Sequence, residues 1–132
     1  MTFLEKYDNI SGKIQSCMQA ISIPDKNIIN NKNNIPEDLK SGFKAGIYSL
    51  NSVKGDYKTH RQHTKIKIGF DIFLIVDADK EIVQPDRDLF ELVEDFRTQY
   101  KASFDDDFDE VEYYAGLVKS NPVKIAKIRI EI

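Results

Sequence analysis

Cysteine occurs once, as Cys17, so the chain forms no internal disulfide and a reducing compartment is favoured. Histidine occurs twice, as His60 and His63. Two histidines three apart supply two metal ligands with no third indicated, and the spacing is not that of a zinc-protease helix. With no serine close to them in sequence, a Ser-His-Asp arrangement has no support. Glycine is sparse and scattered, so no phosphate-cradling loop is present. The longest apolar run, 72–76, is five residues, far below the roughly 20 needed to span a bilayer. Residues 1–8 are amphipathic rather than an apolar run, which predicts no secretory leader. The net charge of −3 gives no bulk attraction to nucleic acid or to an anionic membrane.

What is present is a globular balance, with 41% hydrophobic and 31% charged residues over 132 positions. That length suits one domain spanning 1–132, with enough buried surface for a core without staples. Phe3, Tyr7, Ile10, Ile14, Cys17 and Ile21 alternate at four- and three-residue spacings, which predicts an amphipathic helix. Thr2 caps it, with Glu5 three residues on, and Pro24 stops it. Cys17 falls on the apolar stripe and reads as a buried structural thiol. Residues 27–34 are asparagine-rich and predict a loop with a short strand at Ile28 and Ile29. Pro36 opens a one-turn helix that ends near Gly42.

A strand is expected over 43–50, then a long polar loop over 51–63. Ile66, Ile68, Phe70, Ile72, Leu74 and Val76 follow at strict period two, the strongest strand signal in the chain. Its opposite face starts polar, at Lys65 and Lys67, and turns apolar at Phe73 and Ile75. One end of this strand is therefore expected to be covered on one face, and the other end on both. Extended, residues 65–76 span about 40 Å, which predicts that the strand bends or that its polar end projects as an arm. Pro85, Asp86 and Asp88 open a second helix whose stripe is Leu89, Leu92, Val93, Phe96 and Tyr100. Two strands close the chain, over 111–118 and 123–132, with a turn at Asn121 and Pro122. In the last one Val123 and Ile125 face opposite to Ile128, Ile130 and Ile132. That change of parity predicts either a β-bulge near Ala126 and Lys127 or a strand covered on both faces. The chain is expected to end pinned in the sheet. The expected fold is α+β: a single domain with a four-stranded, mostly antiparallel mixed sheet, two main helices on one face and a projecting strand–loop arm.

Two charged constellations stand out. Lys54, Lys58, Arg61, Lys65 and Lys67 surround Tyr57, with Asp56 the one opposing charge. They form a solvated loop, a protein-contact arm or a nucleic-acid contact through residues 54–67. Asp105, Asp106, Asp107, Asp109, Glu110 and Glu112 form an acidic run: a solvated loop, a divalent-cation site or a partner surface. Asp77, Asp79 and Glu81 start like a calcium loop, but Ile82 and Asp88 stand where glycine and glutamate are required. No carboxylate pair is assignable to acid–base work, so no catalytic, cofactor or metal residues are expected and the chain does not read as an enzyme. Opposite charges at different places on one subunit suit a head-to-tail contact that closes into a ring.

The order of elements resembles a known family. A polar loop and a strand follow the N-terminal helix. Arg61 precedes the long strand His63-Thr64-Lys65-Ile66-Lys67-Ile68-Gly69-Phe70-Asp71-Ile72, and the acidic helix start Pro85-Asp86-Arg87-Asp88-Leu89-Phe90-Glu91-Leu92-Val93-Glu94 precedes two closing strands. This layout is similar to the tail terminator, or tail completion, proteins of long-tailed bacteriophages and prophages. The likeness is one of layout, without a short motif that would transfer a residue's role. It implies a non-catalytic virion protein forming a ring, commonly a hexamer, at the head-proximal end of the tail tube. The implied partners are copies of itself, the tail tube protein and head–tail connector proteins, with no membrane, and nucleic acid only passing through the ring lumen. The implied location is the virion tail, after assembly in the bacterial host cytoplasm. The competing reading is a small non-catalytic bacterial adaptor or binding domain in the bacterial cytoplasm.

Overall fold

The computed structural model describes residues 2–31, 39–40, 42–55, 66–79 and 84–132. Helix α1 spans Phe3–Ala20, and Thr2 caps it by accepting the Glu5 N–H at 3.1 Å. Its stripe buries Ile10, Ile14, Cys17 and Met18. A 3-10 turn, Asp25–Asn27, leads into β1, Ile28–Asn30. Strands β2 (Lys44–Lys54) and β3 (Lys67–Asp77) precede α2, Pro85–Phe104. Strands β4 (Val111–Val118) and β5 (Asn121–Glu131) complete the chain.

The sheet has five strands in the order β1-β2-β3-β5-β4. The sequence predicted four. The fifth is β1, the short stretch at Ile28, which pairs parallel to Gly46, Ile47 and Tyr48 of β2. All other neighbours are antiparallel. Both helices lie on one face, where their stripes meet Ile66, Ile68, Phe70, Ile72, Leu74 and Val76 in one core. Gly46 sits directly beneath α1: a Cβ there would lie 2.6 Å from Met18 Sδ.

Strand β2 runs four residues beyond the expected end at Leu50, into the predicted loop. A bulge at Asn51 resets its parity, so Val53 still pairs with Ile68. The expected strand–loop arm falls mostly on 56–65, outside the described residues. From Lys67 onward the long strand lies within the sheet. It is matched by equal partners, since β2, β3 and β5 each have 11 residues. The body of the domain is therefore as long as the strand, about 36 Å. The one-turn helix expected from Pro36 also lies largely outside the described residues.

The far face of β3 behaves as its pattern predicts. Lys67 is exposed and Asp71 half-buried, whereas Phe73 and Ile75 are buried with Ala45, Ile47 and Val123 in a second, smaller core. The parity change in β5 has the same cause. Its register with β3 is unbroken from Gly69–Glu131 to Asp77–Val123, so no bulge forms. Val123 and Ile125 instead serve the second core, while Ala126, Ile128 and Ile130 serve the first. The turn before β5 is at Lys119 and Ser120, both with positive φ (48° and 71°), rather than at Asn121 and Pro122. Two such residues between antiparallel strands match the twist of the sheet. Ile132 exchanges both backbone hydrogen bonds with Ile68, at 2.8 and 3.0 Å.

Candidate interaction surface

The charged constellations occupy the two flanks of one end of the sheet. On one flank, Lys54 and Lys67 face each other across β2 and β3. Both reach Glu131 of β5, at 3.3 and 3.9 Å, and all three side chains are well exposed. Two lysines on one carboxylate leave this corner with a positive surplus. Lys58, Arg61 and Lys65, and with them His60 and His63, lie outside the described residues. Below this row, Asp71 accepts from Arg129 Nε and from Asn51 Nδ2, each at 3.1 Å. This ties β2, β3 and β5 together across the far face.

The acidic segment occupies the other flank, between α2 and β4. Asp105 ends α2 in the left-handed conformation (φ 52°), with its N–H bonded to the Lys101 carbonyl at 3.0 Å. Asp107 receives the Arg97 guanidinium, whose Nε lies 2.9 and 3.0 Å from its two oxygens, and also accepts the Phe108 N–H at 2.9 Å. Hydrogen bonding to Arg97 holds the Asp107 carboxyl below the usual range, and the same bond raises the guanidinium. Phe108 then inserts against Phe96 and Tyr100, with ring centroids 6.2 and 5.5 Å away. Burial, helped by Asp106 and Asp107, pushes the Tyr100 phenol up to about 12. The loop is thus pinned, not merely solvated. Asp105, Asp106, Asp109 and Glu110 remain exposed, with no ion pair to another described residue. A polar cleft lined by Asp106, Asp109, Arg129 and Glu131 separates this flank from the end of β5.

Other chemistry-bearing groups are occupied structurally. Asp77 is buried and accepts the Gly42 N–H at 2.7 Å and the Asp79 N–H at 3.1 Å, so it organises a turn. Cys17 is buried as expected; its thiol is pushed up by burial and lies 3.5 Å from Ser103 Oγ. Among the described residues, no three histidine, cysteine or acidic side chains converge as a metal site. Among them, too, no helix is long and apolar enough to cross a membrane.

Sequence reasoning missed one apolar feature. Strand β4 ends the sheet, and Tyr113 (47%), Tyr114 (42%) and Leu117 (73%) are exposed on it. Phe90, 49% exposed, meets Tyr113 edge-to-face at 5.0 Å. The available signal was Phe90 itself, which lies off the stripe of its helix. The opposite edge of the sheet has a second stretch that is unpaired among the described residues. Strand β1 covers β2 only at 46–48, and beyond it Leu50 and Val53 are exposed. No family model matches the chain, and no curated protein matches it.

Proposed function

We propose that this protein is a non-catalytic assembly subunit that joins copies of itself head to tail into a ring, in the manner of the tail terminators its layout resembles. In that role the ring, a hexamer in the resembled family, caps a phage or prophage tail tube and joins tail to head. The tail tube protein and the connector proteins are its partners, and nucleic acid only passes through its lumen. The carrying observation is the placement of charge: a lysine corner and a pinned acidic loop stand on opposite flanks of the same end of one sheet. Copies set side by side in one orientation bring unlike flanks together, which is the requirement of a heterologous, closing contact. A twofold contact would instead set like charge against like.

The test is a charge swap read by light scattering on the full chain. The wild type is expected as a closed multimer. Lys54→Glu with Lys67→Glu makes both flanks acidic, and Asp106→Lys with Asp109→Lys and Glu110→Lys makes both basic. Each variant alone is expected as a monomer, and an equimolar mixture as a multimer again. A wild type that stays monomeric at high concentration, or variants whose mass does not change, overturns the reading.

A further inference from the structure

We infer that the first half of β4 pairs, antiparallel, with residues 50–54 of β2 in the next copy of this chain, so that the sheet continues from subunit to subunit. This rests on the ring reading and adds the contact that closes it.

Four observations carry it. First, direction: β2, β3, β5 and β4 alternate antiparallel, so β4 runs opposite to β2. A neighbour in the same orientation therefore offers β4 an antiparallel partner. Second, both edges are unpaired among the described residues: β4 is the last strand, and β1 stops at the level of Tyr48. An exposed edge strand holds unpaired N–H and C=O groups, and β-augmentation satisfies them. Third, the faces match. Tyr113 and Ala115 lie opposite Ala126 and Lys124, on the helix side of the sheet. Leu50 and Val53 lie opposite Phe70 and Ile68, on that same side. Fourth, charge selects a register. Setting Tyr113 against Val53 sets Glu112 against Lys54, an unlike pair on the far side. In the same register Tyr114 meets Ser52. If the Asn51 bulge is skipped as it is between β2 and β3, Ala115 then meets Leu50. In forming this pair Lys54 exchanges its exposed contact with Glu131, at 3.3 Å, for Glu112, and Lys67, 3.9 Å from Glu131, stays with that carboxylate.

Each edge alone is incompletely protected. The bulge and Lys54 blunt β2 against indiscriminate pairing, whereas Glu112 is the only charge within β4. One sequence thus carries a guarded edge and an adhesive one, and the second copy is the occupant whose charge fits both.

The test cross-links variants of the full chain that each add one exposed cysteine to the buried Cys17, with a short bis-maleimide. Val53→Cys and Tyr113→Cys are prepared separately, with wild type as the control for buried Cys17. A covalent dimer is expected in the mixture and not in either pool alone, and the double variant is expected to give a ladder ending at the ring size. Ser52→Cys with Tyr114→Cys repeats the test from the other face, should loss of Tyr113 weaken the contact. A dimer from the Tyr113→Cys pool alone means β4 pairs with itself, which overturns the inference. A multimer by light scattering without mixed cross-links also overturns it and leaves the ring reading standing. A monomer without cross-links overturns both.

Discussion

Asp107 is the residue on which the acidic loop depends. It takes the guanidinium of Arg97 and the N–H of Phe108 together, and Phe108 carries the loop into the aromatic cluster of α2. Its carboxyl is depressed below the ordinary 3.8 by Arg97. A depressed carboxyl stabilises the fold above its unfolded value, and that contribution is lost as pH falls through the folded value. The pair therefore acts above about pH 4 and fades below it. Asp107→Asn is expected to melt lower than wild type at neutral pH and to converge on it in acid, in thermal unfolding followed by circular dichroism. A constant gap at every pH would assign the loss to packing instead. Lys119 and Ser120 make a different point at this scale. They hold positive φ without being glycine or asparagine, so the turn that separates β4 from β5 carries no compositional flag. That is why the sequence pointed to Asn121 and Pro122, two residues late.

Among the elements, the two helices and β3 were readable because their periods are long and unbroken. The capped stripe of α1 and the stripe of α2 lie where their spacings put them. Thr2→Ala removes the acceptor for the Glu5 N–H and is expected to cost about 1 kcal/mol in urea unfolding, with Thr2→Ser retaining most of it. The sheet edges were readable only in part. The short strand expected at Ile28 and Ile29 forms as β1, but at three residues it is too short for any periodicity, and its pairing with β2, which makes it the fifth strand of the sheet, was not legible. The end of β2 was hidden by a bulge, which inserts one residue and breaks alternation just where Val53 resumes it. In β4, Tyr113, Ala115 and Leu117 form an apolar row that reads like any core strand. Its exposure follows from its place at the sheet edge, where Phe90 of α2 meets Tyr113 but leaves it half-exposed, and strand order is not written in a strand's own residues. The candidate surface was legible to the same degree. Lys54, Lys67 and the acidic run were visible as charge, but their placement on two flanks of one end depends on topology. The role of Glu131 depends on register.

For the whole molecule, net charge is a poor guide and its distribution a better one. The sum is small, yet the two flanks carry opposite signs. Sodium chloride raised from about 0.1 M to about 1 M shortens the screening length from about 10 Å to about 3 Å. The proposed multimer is expected to dissociate over that range in light scattering. Ammonium sulfate of equal ionic strength is expected to dissociate it less, because an excluded salt strengthens the burial of the apolar rows of β2 and β4. Equal effects of the two salts would mean that charge alone holds the copies together.

The two-sided burial of β3 has a mechanical consequence. From Phe73 to Val76 the strand is gripped between two apolar layers, while near Lys67 the described residues back it with apolar side chains on the helix side alone. The sheet is built like a cantilever, clamped at the end that holds the second core and less constrained at its tip. Local opening is easiest where apolar contacts are fewest. The charged corners and the two free edges sit toward that tip. In the ring proposed above, a subunit of this design would adjust the pitch of its outer strands to its neighbour while its root kept one shape, so that small errors of angle were absorbed at each joint instead of accumulating around a closed circle.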